Sequence, residues 1–169
     1  MPARLPIQAK SPFHLDPRPL AEMSSPHAGL LGASRALRSL RLPALVEANL
    51  KLKSRSSGFS EAQAVESIVL LHLAGGDCPE DFSLFHGDQC LERGLGYVLP
   101  KARTVRDFLD RFHDEAIALT RPPRAQQKSF LLPASQPVQA LQQVQAGFVQ
   151  NIAKGYTKAG ETLTIATID

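Results

Sequence analysis

The chain has 169 residues, of which 43% are hydrophobic and 6% aromatic, with no Trp; this excludes a natively disordered chain and places the core on Leu, Val, Ile and Ala. No stretch approaches the ~18 consecutive apolar residues that span a bilayer, and Met1 to Pro19 lacks the apolar core of a secretory leader, so a cytoplasmic protein without membrane contact is expected. The net charge of +3 conceals segregation: residues 1–60 carry nine Lys/Arg against three Asp/Glu, residues 61–99 one against seven, and residues 100–128 seven against four. Two basic blocks flanking an acidic one attract polyanions, of which nucleic acid is the commonest large example, whereas the plain alternative is solvated charged faces.

Six prolines between Pro2 and Pro26 make residues 1–29 an irregular segment, with at most a short extended piece at Phe13-His14-Leu15. Residues 33–53 read as two short helices with a corner at Leu42, because the residue before Pro43 is disfavoured in the helical region. Leu37 and Leu40 share one face, and Arg35, Arg38 and Arg41 form a basic stripe beside it. Residues 61–74 are the clearest helix: Ser60 caps it, Gln63 completes a capping box, and Gly75-Gly76 ends it. Its stripe is Val65, Ile68, Val69, His72 and Leu73, and its nearly all-apolar end places it at the centre of the core.

Pro79 opens a short helix that buries Phe82 and Phe85; Asp88 caps a second with Leu91 and Leu95 inside and Gly94 and Gly96 at its end. A further amphipathic helix is predicted over 105–119, capped by Thr104 with Asp107 three residues on. It buries Val105, Phe108, Leu109, Phe112 and Ala116 and leaves Arg103, Arg106 and Arg111 outside. Residues 120–135 form a connector, and a last helix runs from Pro137 to Lys154, with Val138, Leu141, Val144, Phe148 and Ile152 as its stripe and Gly155 closing it. From Glu161 to Asp169 the pattern alternates and is rich in β-branched residues, which predicts the one convincing strand.

A strand carrying a carboxylate at its end can aim it at a metal ion, and two-metal phosphoryl-transfer enzymes use this because hard Mg²⁺ prefers carboxylate oxygens. An Asp after a strand is more often a turn residue or a helix cap, so Asp169 has both readings. His72, Cys78, His86 and Cys90 form a second pattern; only His86 and Cys90 have the spacing common in zinc sites. Two cysteines do not make a disulfide framework.

Four stretches carry a family resemblance: Gly32-Ala33-Ser34-Arg35 through Leu42; Ile68 through Gly76 followed by Asp81-Phe82 and Gly87-Asp88; Ala102-Arg103-Thr104-Val105-Arg106-Asp107-Phe108-Leu109-Asp110-Arg111-Phe112; and Leu163 through Asp169. In order and spacing, residues 30–169 resemble the N-terminal part of bacterial insertion-sequence transposases of the IS-thirteen-eighty group, in the DDE superfamily. The resemblance implies a mainly α chain: a helical DNA-binding domain over 30–155, followed at 156–169 by the first strand of a truncated ribonuclease-H-like α/β catalytic domain. It implies that Asp169 is the first catalytic, metal-binding carboxylate and that the full-length family works with Mg²⁺ on transposon terminal inverted repeats. No residue here matches the family's second Asp or its Glu, so this chain is expected to hold no Mg²⁺ and do no chemistry on its own. Arg35, Arg38, Arg41, Arg103, Arg106 and Arg111 are the expected DNA contacts, the last three on a helix whose N-terminal side chains would reach a major groove. A helical DNA-binding regulator, and a helical interaction module that forms a homodimer through its apolar faces, are the alternatives.

Overall fold

A computed structural model describes residues 24–52, 58–122 and 132–158. These residues are mainly helical and include no strand. The predicted strand at 161–169, Asp169 with it, and the extended piece at Phe13-His14-Leu15 lie outside the described residues.

Helix α1 (Gly29–Ser39) and α2 (Leu42–Asn49) meet at a corner one residue earlier than expected. Arg41 takes the turn in the left-handed region at φ 63°, an uncommon position for a non-glycine residue. Leu42 is helical after all: Pro43 sits in the first turn, where its missing N–H leaves no hydrogen bond unmade. Helix α3 (Glu61–Leu73) starts as expected. Ser60 Oγ accepts from the Gln63 N–H at 3.1 Å, and Gln63 Oε1 accepts from the Ser60 N–H at 2.9 Å. Gly75, at φ +91°, turns the chain away after it.

The buried face of α3 differs from the predicted stripe. Ala62, Ala64, Glu66, Ser67, Leu70 and Leu71 are inside, while His72 is exposed and Leu73 is 59% exposed. Periodicity of apolar residues misplaces this face because two of its members are polar.

The chain then forms a 3-10 helix (Pro79–Phe85) that buries Phe82 and Phe85, and α4 (Gln89–Leu95), capped by Asp88 Oδ1 on the Leu91 N–H at 2.9 Å. The single helix expected over 105–119 is three pieces: α5 (Ala102–Leu109), a 3-10 turn (Asp110–Phe112) and α6 (Glu115–Leu119). Thr104 lies inside α5 rather than capping it, and Ala116 is exposed. Asp114 starts the new helix by accepting from the N–H groups of Ala116 and Ile117. Helix α7 (Gln136–Lys158) continues through Gly155, and of its expected stripe only Val144 is fully buried.

Helix α3 is central, packing on α1, α2 and α5. It separates two apolar clusters. One gathers Leu30, Leu70, Leu71, Phe82, Phe85, Leu91, Leu95, Leu99 and Val105. The other gathers Leu42, Val46, Leu50, Ala62, Ala64, Phe108 and Val144 from α2, α3, α5 and α7. Ile68 packs against both. The helices thus hold the arginine-bearing α1 and α5, and the α1–α2 corner with Arg41, on a shared scaffold with α3 as the common support.

Candidate nucleic-acid interface

The six arginines divide by what they touch. Arg38, on α1, turns toward α3: its Nε donates to Glu66 Oε1 at 2.9 Å, and its Nη2 donates to Glu66 Oε2 at 3.0 Å and to the Leu95 carbonyl at 2.8 Å. Glu66 is 3% exposed and also accepts from Ser34 Oγ at 2.6 Å and from the Tyr97 hydroxyl at 3.1 Å. A buried carboxylate is tolerated only when paired and hydrogen-bonded, and here four donors supply that. The hydrogen bond to Glu66 raises the Arg38 pKa further, and burial pushes the Tyr97 hydroxyl up. Arg38 therefore serves the packing of α1 on α3, and its planar fork is already occupied.

Arg106, on α5, pairs with Glu80 of the preceding 3-10 helix, both side chains being about half exposed. This exposed pair is weak and open to competition from another anion. Arg35, Arg41, Arg103 and Arg111 are exposed and enter no ion pair among the described residues. Four guanidinium groups are thus free to meet a polyanion: one on α1, one at the α1–α2 corner, one in the first turn of α5 and one in the 3-10 turn after it. Arg111 also borders a groove of about 390 Å³ with Thr104 and Asp107 at its rim and Val105 and Phe108 beneath.

Helix α5 rests on the Pro79–Phe85 3-10 helix and on α3, while the main packing partner of α4 is α1. The support for Arg103 is thus a 3-10 helix and the central helix, not the α4–turn–α5 pairing that a helix-turn-helix would use.

The His72–Cys78–His86–Cys90 pattern is split. His72 Nδ1 is 2.9 Å from the Gly76 carbonyl, and Cys78 Sγ donates to Asp81 Oδ2 at 3.3 Å. His86 and Cys90 instead border one cavity together with His27 and Asp88. Sequence reasoning missed His27 and Asp88, which lie 61 residues apart and meet at 3.1 Å, and it missed Glu66 as the partner of Arg38. A buried acid in the middle of an apolar helix was the available signal for the second.

No protein-family model, curated protein or solved structure matches this chain. No helix among the described residues is long and apolar enough to cross a membrane.

Proposed function

We propose that this chain is a helical DNA-binding domain of the kind that precedes the catalytic core of a DDE-type insertion-sequence transposase. The observation that carries the reading is the set of exposed arginines Arg35, Arg41, Arg103 and Arg111 on the two basic blocks, none of which enters an ion pair among the described residues. Guanidinium groups bind phosphate oxygens in fork geometry and hold a protein in register on a duplex. The order of the four resembling stretches supplies the transposase part. In this reading Asp169, which lies outside the described residues, is the first metal-binding carboxylate of a ribonuclease-H-like core. Residues 1–169 then bind terminal-repeat DNA without cleaving it, because one carboxylate cannot hold the two Mg²⁺ ions that strand transfer uses.

A gel-shift titration with duplexes from the DNA flanking the coding sequence tests this. Binding should weaken steeply as salt rises, since each neutralised phosphate releases counterions. Absence of salt-dependent binding would reject DNA as the partner. One observation favours a second reading, a protein-interaction module: Leu119, Val98 and Leu73 are 80%, 64% and 59% exposed. That reading expects a concentration-dependent oligomer whose stability is insensitive to salt.

A further inference from the structure

Resting on the DNA-binding reading, we propose that the groove between the start of α3 and α5 takes up a single unstacked nucleobase that carries an exocyclic amine, while Arg103 and Arg111 hold the phosphates beside it. The groove measures about 390 Å³, within the roughly 300–1,000 Å³ of pre-formed small-ligand sites. Phe59 lines one wall, Val105 and Phe108 lie beneath, and Thr104, Asp107 and Arg111 stand at the rim.

The sequence builds this rim on one side of α5. Thr104, Asp107 and Phe108 recur at helical spacing, and Arg111 continues the same stripe in the 3-10 turn that follows. Val105 and Phe108 are buried, one in each of the two apolar clusters, so the floor is held by packing. Phe59 is half-buried. Thr104, Asp107 and Arg111 are exposed, and among the described residues their side chains make no hydrogen bond or ion pair. An apolar slot with a few uncommitted polar groups at its mouth suits a flat heterocycle, whose faces are apolar and whose edge is polar.

Charge decides which part of a nucleotide enters. The Asp107 carboxylate repels phosphate and can only accept, so it selects an N–H donor. The exocyclic amine of cytosine, adenine or guanine supplies one, and thymine has none. Arg111 on the same rim, and Arg103 beside Thr104 in the chain, attract the phosphates that flank the base. Contact of the base face with Phe59 adds a stacking interaction open to any base. A paired base must leave its stack to reach the groove, so an unpaired base enters at the lowest cost.

Competition binding of the full chain to four forms of one duplex tests the site: fully paired, and with one unpaired cytosine, thymine or abasic residue at the centre. The three interrupted forms bend alike, so differences among them report the base. The cytosine form should bind about tenfold tighter than the abasic form, with thymine between them. Asp107→Ala should bring cytosine down to the level of thymine, and Phe59→Ala should bring both toward the abasic form. A cytosine form no tighter than the abasic one, with salt-dependent binding of the paired duplex intact, overturns the base site and leaves DNA binding standing. Absence of salt-dependent binding to all four forms rejects both. If Phe59→Ala does not fold, Asp107→Ala, at an exposed helix position, decides alone: a cytosine preference that survives it overturns the site.

Discussion

Arg38 on α1 and Glu66 on α3 form a two-point ion pair at 2.9 and 3.0 Å that ties together elements 28 residues apart. The Glu66 side chain is 4% exposed and the Arg38 side chain 41%. Removing the cation strands a buried anion, whereas removing both partners strands nothing. Arg38→Met should therefore cost about 2–3 kcal/mol, less than the roughly 3–5 kcal/mol for a fully buried pair, because the Arg38 side chain is partly exposed. Arg38→Met combined with Glu66→Leu should recover most of that loss. Urea denaturation midpoints of the parent and the two variants measure this, and equal losses in the single and double variants would exclude a buried-charge penalty.

Two glycines should respond in opposite directions to a methyl group. A Cβ on Gly76 would lie 2.6 Å from Leu71 Cδ1, 2.8 Å from Leu71 Cγ and 3.0 Å from Asp81 Cβ. Leu71 is 2% exposed, so its side chain has little room to yield, and Gly76→Ala should destabilise by about 1–3 kcal/mol through overpacking. A Cβ on Gly32, inside α1, meets nothing within 4 Å, so Gly32→Ala should stabilise by about 0.5–1 kcal/mol through helix propensity. Thermal melts of the two variants should shift to opposite sides of the parent.

Asp88 sets an acid limit. Burial acts to raise its carboxyl pKa, but hydrogen bonds from Ser25, the Leu91 N–H and His27 outweigh burial and hold it below the ordinary value. A pKa depressed by folding contributes stability that is complete above the unfolded value, near 3.9 for Asp, and lost as pH falls through the folded value. As pH falls below about 4, the parent should thus lose stability more steeply than Asp88→Asn, which has no charge to lose there. Denaturation midpoints across that range check the slope. Parallel curves would show that Asp88 carries no folding-linked titration.

Local signals were legible in the sequence and distant ones were not. The Ser60–Gln63 box, the Asp88 cap and the burial of Phe82 and Phe85 follow from residues within a turn of each other, and all are observed. The break between α5 and α6 lies at Asp114, whose cap on Ala116 and Ile117 interrupts an apolar pattern that runs on across it. The buried face of α3 could not be read at all. Glu66 and Ser67 belong to it only because Arg38 and Tyr97, 28 to 31 residues away, provide their hydrogen bonds. For the same reason Arg38 read as one more member of a basic stripe, while the structure separates it from Arg35 and Arg41.

That separation makes the proposed DNA contacts unequal. Each arginine neutralising one phosphate adds about 0.9 to the slope of log affinity against log salt. Arg103→Ala with Arg111→Ala should flatten the slope by about 1.8 on duplex DNA, because both side chains are exposed and enter no ion pair among the described residues. Arg106 begins in its pair with Glu80. Glu80→Gln should release it and strengthen binding, with a steeper slope, if Arg106 joins the interface. Arg38→Met combined with Glu66→Leu should leave the slope unchanged, since the guanidinium of Arg38 is engaged within the fold. Filter binding across a salt series measures all three. A slope unaltered by loss of Arg103 and Arg111 would move the interface away from α5, and a slope reduced by the Arg38 double variant would show that this pair opens to meet DNA.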